Sequence, residues 1–203
     1  MIKILDYNCG NISALKNAFN RINIETEFIK TPEDFSNTSK IVLPGVGSFD
    51  SAIKKLNNSG LRGQLEKKVL IDKIPVLGIC VGMQIFGNIS DEGNLRGLGW
   101  LNYDIEKIYQ NDNNSPLPHM GWNNVEIDEK SMFFDKNFSY EFFYFLHSFC
   151  LKKNNQNNSV NSKCFYNHEF ISIVEYENIY GIQFHPEKSH EAGLSILSKF
   201  NSL

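Results

Sequence analysis

Apolar and polar positions along the chain follow two patterns, and the change between them falls near the middle. In the first half, short apolar runs at Ile2–Leu5, Thr26–Ile29, Lys40–Leu43 and 75–79 alternate with stretches of helical period. The runs end at turn-forming residues such as Thr31-Pro32 and Pro44-Gly45 and read as strands, the first of them buried. Asn11 is placed to cap a helix whose inner face is Ala14, Leu15, Ala18, Phe19 and Ile22, and helical segments follow near 49–57 and 61–71. From Trp100 to Tyr180 the pattern is mostly strand-like, at 103–108, 124–127, 142–146, 170–175 and 180–184. A polar loop at 154–159 reads as a hairpin connection, and residues 190–200 read as a closing helix packed through Ala192, Leu194, Ile196, Leu197 and Phe200. The expectation is an α/β fold: a largely parallel central sheet flanked by helices, with an additional, mainly antiparallel β region in the second half. No linker or repeat divides the chain, so residues 1–203 are expected to form one domain.

Composition narrows the function by exclusion. A formal net charge of −3 gives no basic field for nucleic acid. No apolar run is long enough to span a membrane, and Asp6 interrupts the start before a signal-peptide core can form, so a cytoplasmic location is expected. The cysteines at 9, 80, 150 and 164 form no Cys-x-x-Cys pair, which points to free thiols and away from structural zinc.

Two segments carry chemistry. In Gly78-Ile79-Cys80-Val81-Gly82 an apolar strand runs into a cysteine flanked at two residues on each side by glycine, and a helical segment follows. This is the cysteine form of the strand–nucleophile–helix elbow. The turn crowds those flanking positions, the helix start favours the thiolate, and the Val81 N–H can donate to an oxyanion. The alternative for Cys80 is a small buried core residue; Cys9, Cys150 and Cys164, which lack such a setting, read as structural. In His185-Pro186-Glu187 an extended stretch would put imidazole and carboxylate on one side, where Glu187 can hold the His185 ring and His185 can take a thiol proton. A metal cluster of His185, Glu187, His190 and Glu191 is the competing reading, although the spacing does not match His-Glu-x-x-His.

Together these segments resemble the class I (triad) glutamine amidotransferase family, and the resemblance covers essentially the whole chain. Leu43-Pro44-Gly45-Val46-Gly47 is similar to the family's oxyanion strand. Asp6-Tyr7-Asn8-Cys9-Gly10-Asn11, Pro118-His119-Met120-Gly121-Trp122-Asn123, Tyr144-Phe145-Leu146-His147-Ser148-Phe149 and His185-Pro186-Glu187-Lys188-Ser189 look like the glutaminase subunits of imidazole glycerol phosphate synthases. The resemblance implies catalysis by Cys80, His185 and Glu187, and oxyanion donors at the Val46 and Val81 N–H groups. It implies glutamine contacts at Gly47, Gln84, Glu92, His147, Ser148 and Phe149. It places Asn11, Trp122, Asn123, Tyr144 and Lys188 on the face toward a (β/α)8 barrel synthase subunit, in a heterodimer that receives the ammonia. No cofactor and no metal are implied. For Trp122 and Tyr144 the plain alternative is core packing, and for Lys188 a solvated charge.

Asn8, Phe149 and Trp100-Leu101-Asn102 depart from the commoner family residues, Asn8 standing where glycine is usual and Phe149 where tyrosine is. They admit a paralogous glutaminase that feeds amino- or amidino-sugar synthesis, and a non-catalytic regulatory module is the third reading.

Overall fold

The computed structural model describes residues 1–110, 115–135, 140–152 and 158–203. β1 (Ile2–Leu5) is buried at every position, as a strand covered on both faces must be. The next turn holds Asn8 at φ 60°, a left-handed geometry that asparagine tolerates in place of glycine. Asn11 then caps α1 (Ile12–Arg21) by accepting from the Ala14 N–H at 3.1 Å, and Leu15, Ala18 and Phe19 form its buried stripe.

β2 (Thr26–Ile29), β3 (Lys40–Leu43), α2 (Phe49–Asn58), α3 (Arg62–Glu66) and β4 (Val76–Ile79) follow. The helix expected over 61–71 widens into a π turn at Lys67–Ile71. α4 (Val81–Gln84) is a single turn after the elbow. The second half contributes β5 (Ile105–Lys107), β6 (His119–Glu126), β7 (Tyr140–His147), β8 (Phe149–Leu151), β9 (Val160–Tyr166), β10 (His168–Tyr176) and β11 (Ile179–Ile182). The chain closes with α5 (His190–Ser202), buried through Gly193, Leu194, Ile196, Leu197 and Phe200.

A single sheet runs through both halves in the order β2-β1-β3-β4-β11-β10-β9-β6-β7, with β8 pairing β10 and β5 beside it. The pairs from β2 to β11 are parallel. From β11 to β7 they are antiparallel. The antiparallel region is therefore continuous with the parallel sheet. The key register is β4 against β11, where Ile79 pairs with Ile182 and the Cys80 N–H donates to the Ile182 carbonyl at 2.8 Å. Two parallel strands thus end side by side, one delivering Cys80 and the other Gln183 to His185. Ligand sites of open α/β sheets form at such carboxyl ends.

Two strands, β8 and β9, were not anticipated. β8 is three residues long and separated from β7 by Ser148 alone, while β9 runs polar through Asn161, Ser162 and Lys163 before its apolar end. β6 begins at His119, earlier than the expected 124, because its first residues invert the usual pattern: apolar Met120 and Trp122 face outward while His119 is buried, and Gly121 adopts φ 125°. Most of the expected hairpin loop at 154–159 lies outside the described residues.

The elbow is held by a backbone-to-backbone approach. A Cβ on Gly82 would collide with the Leu43 carbonyl, and one on Gly45 with the Gly82 nitrogen. Glycine at 45 and 82 lets the end of β3 lie directly on the first turn of α4. Gly82→Ala is expected to destabilise the fold by about 3 kcal/mol, because main chain, unlike a side-chain tip, cannot yield cheaply. Denaturant unfolding monitored by circular dichroism measures it.

Candidate active site

The strand β4 runs directly into Cys80, which sits at φ 55° and ψ −115°. A non-glycine residue in this region stores strain, which the flanking contacts overcome. Cys80 is nearly buried at 3% exposure. Its Sγ faces the Leu146 carbonyl at 3.9 Å and receives the Gln183 Nε2 donor at 3.6 Å. His185 lines the same cavity as Cys80 and interacts electrostatically with it.

His185 leaves β11 in extended geometry at φ −99°, and Pro186–Lys188 then forms a 3₁₀ turn. This corrects the expected extended His-Pro-Glu stretch. The turn, started by Pro186, brings Glu187 back so that its Oε1 lies 3.0 Å from His185 Nδ1. Both side chains are almost fully buried. Main-chain bonds fix the imidazole further: the His185 N–H donates to the Tyr144 carbonyl at 2.9 Å, and Ser189 Oγ donates to the His185 carbonyl at 2.7 Å. With Nδ1 on Glu187, Nε2 is the nitrogen left to face Cys80. Burial opposes charge on His185, but its bonds to Cys80 and Glu187 outweigh burial and raise its pKa to about 10. His185 is the basic group beside the sulfur; α4, one turn long, adds only its first N–H groups.

These groups open into a cavity of about 270 Å³. Its wall contains Cys80, His185, Val46, Val81, Gly47, Gln84, Glu92, His147, Ser148 and Phe149. Every residue expected to touch glutamine or an oxyanion therefore reaches one small pocket. Pro118 and Leu146 also line it and were missed. Their backbone and apolar surface carry no chemical signature in a sequence. Glu92 accepts from the Phe49 N–H at 2.7 Å, which fixes its carboxylate at the rim. Gln84 Nε2 donates to the Phe149 carbonyl at 2.9 Å and to Gln183 Oε1 at 3.0 Å. Gln183 was not singled out, although it joins Gln84 to the sulfur. Cys9, read as structural, also borders the site: its thiol donates to the Val46 carbonyl at 3.3 Å, and Tyr7 Oη donates to the Pro44 carbonyl at 2.5 Å.

The residues expected to face a partner are spread more widely. Trp122 is 48% exposed, packs edge-on to Tyr144 and stacks on His190 at 5.2 Å. Lys188 Nζ lies 5.3 Å from the Tyr144 ring centroid, a cation–π geometry. Asn123 lines a second cavity with Met120, Trp122 and Phe165. Asn11 is exposed, and its side chain is committed to the α1 cap.

Of the residues weighed as a metal cluster, Glu191 faces Arg21 at 3.4 Å and His190 lies on Trp122, so neither joins Glu187. A different trio, Glu106, Cys150 and His168, does converge. The Tyr109 N–H donates to His168 Nδ1, which leaves the ring proton on Nε2, the atom facing Cys150 and Glu106. Burial and the Glu106 charge also push the Cys150 thiol up. In that tautomer His168 Nε2 has no lone pair for a cation, and the Cys150 sulfur stays a thiol rather than the thiolate that metals prefer.

The family model for class-I glutamine amidotransferases matches residues 3–201. The imidazole glycerol phosphate synthase subunit HisH of Bdellovibrio bacteriovorus is 44% identical, covering all of both chains. The subunit named HisH 2 of Methanococcus maripaludis is 42% identical over 98% of both. Among solved structures, a glutamine amidotransferase superposes with a TM-score of 0.75 at 16% identity, covering 98% of both chains. A second glutamine amidotransferase, from Thermotoga maritima, gives 0.62 at 17% identity, over 99% of this chain and 82% of the other. At such identities the structural matches speak for the fold alone.

Proposed function

Because this chain belongs to the class-I glutamine amidotransferases, we propose that it is the glutaminase subunit of an imidazole glycerol phosphate synthase, in histidine biosynthesis. It hydrolyses L-glutamine to glutamate and passes ammonia to a (β/α)8 barrel subunit in a heterodimer. That subunit forms imidazole glycerol phosphate and aminoimidazole carboxamide ribotide. Relatives of that name match over the full chain. The observation that carries the chemistry is one pocket holding a thiol, an imidazole backed by a carboxylate, and the Val46-Gly47 segment that follows β3.

In this mechanism His185 holds the Cys80 proton on Nε2, with the charge balanced by Glu187. The thiolate attacks the side-chain amide carbon of glutamine. The carbonyl oxygen becomes an oxyanion toward the Val46 and Val81 N–H groups, each such donor being worth about 3 kcal/mol. His185 Nε2 then protonates the leaving nitrogen, and ammonia departs from the γ-glutamyl thioester. A water, deprotonated by His185, attacks the thioester, and collapse of the second tetrahedral species releases glutamate and restores the thiol.

Exposed Met120, Trp122 and Phe165, 64%, 48% and 69% accessible, support the docking face. A cytoplasmic location suits four free thiols. The purified chain, mixed with a barrel partner and the nucleotide substrate of that partner, is expected to release glutamate from glutamine. Rescue of histidine growth in a strain lacking its own glutaminase subunit is the companion test. Glutamate release without rescue would move the reading to a sugar-directed paralogue, which the Phe149 and Asn8 departures leave open. No release in any mixture would overturn it.

A further inference from the structure

His119 was not among the residues expected at the site, yet it joins the two cavities. It lines the outer one, while its cross-strand partner His147 lines the inner one. His119 is 2% exposed and lies between the Phe145 and Tyr166 rings, with centroids at 4.7 and 3.9 Å. Its Nδ1 is 3.0 Å from His147 Nε2, and its Nε2 is 3.1 Å from Asn123 Nδ2.

The direction of every bond in this chain is forced from both ends. At the outer end, the Asn124 N–H donates to Asn123 Oδ1 at 2.7 Å, and Asn123 Nδ2 donates to the Phe165 carbonyl at 3.0 Å. The amide orientation is thereby set by main chain, and His119 Nε2 must accept. At the inner end, His147 Nδ1 lies 2.8 Å from the Phe149 carbonyl, which can only accept. His147 therefore carries its proton on Nδ1 and accepts at Nε2, and His119 carries its proton on Nδ1. The two assignments agree. Burial keeps both rings neutral, lowering His119 to about 4 and His147 to about 3. The same Phe149 carbonyl accepts from Gln84, which donates to Gln183, which in turn donates to the Cys80 sulfur.

We propose that His119 is a positioning residue of the glutaminase reaction: through a neutral His119–His147 pair oriented by Asn123, it holds the 147–149 main chain against the glutamine pocket. This rests on the glutaminase reading for its kinetic test alone. Without the His119 donor, His147 can turn or exchange tautomers, and the Phe149 carbonyl loses a fixed partner. The effect falls on substrate binding, because His119 touches neither glutamine nor sulfur.

His119→Phe keeps the aromatic stack and removes the bonds. It is expected to raise the KM for glutamine about tenfold while kcat changes less, the scale of one buried acceptor left unpaired. His119→Gln, which can accept from Asn123 and donate to His147, is expected to recover part of the loss. Imidazole ¹⁵N NMR of the native protein reads the same claim without activity: both rings should show protonated Nδ1 and unprotonated Nε2. A His147 proton on Nε2, or an unchanged KM in His119→Phe, would overturn the proposal. Absence of glutaminase activity in the native chain mixed with its barrel partner and that partner's substrate, with the tautomers as stated, would instead overturn the function and leave the pair standing.

Discussion

Cys80→Ala is expected to abolish glutamate release, with kcat falling on the order of 10⁶-fold, while the protein stays folded. The thiol is the atom toward which His185 and Gln183 converge. Removing it takes away the bond-forming step and leaves only binding and oxyanion donors. Alanine is smaller and apolar, so the buried elbow accommodates it. Because the thiol and imidazole act as one unit, Cys80→Ala/His185→Ala together should cost little more than Cys80→Ala alone. A coupled glutamate assay at saturating glutamine measures both. Strict additivity would mean that the two residues do not share a step.

Glu187→Gln is expected to lower kcat by about 10³- to 10⁴-fold with little change in KM, the scale seen when the orienting carboxylate of a triad becomes an amide. An amide keeps the shape beside His185 Nδ1 and loses the charge. Burial of His185 then meets one opposing partner instead of two, so its pKa should fall from about 10. The direction also governs stability. The folded value lies above the unfolded value of about 6.5, so the stabilisation from His185 is complete below pH 6.5 and is lost as pH rises toward about 10. Denaturant unfolding between pH 6 and 10 should therefore slope less steeply in Glu187→Gln than in the native chain. Titration of the His185 ring by NMR gives the pKa itself.

Much of this arrangement was legible in the residues, for local reasons. The strands β1, β3 and β4 are mostly apolar runs, with Pro44-Gly45 ending β3 and Pro75 preceding β4, and a run buried on both faces has few other uses. The elbow was legible because crowding admits only glycine at 78 and 82, where a Cβ would strike Phe86 and Met83 or the Leu43 carbonyl. Pairing of Ile79 with Ile182 is a property of topology, and no local pattern states that residues more than a hundred apart end side by side. The turn at Pro186–Lys188 was missed because a proline after an extended histidine is compatible with either continued strand or a 3₁₀ start. Short β8 and β9, with its three consecutive polar residues, lack apolar alternation, and their pairing is decided by neighbouring strands. His119 and Gln183 were illegible for another reason: each acts through the orientation of a neighbour, and only the three-dimensional hydrogen-bond directions reveal that.

Reaction of the native protein with a glutamine-shaped chloroketone, followed by peptide mass spectrometry, identifies the nucleophile and its pocket together. One adduct, on Cys80, formed at a rate that free glutamine suppresses, is the expected result. Labelling at Cys9, Cys150 or Cys164 instead, or labelling of Cys80 that glutamine leaves unchanged, would contradict a glutamine site built around this thiol.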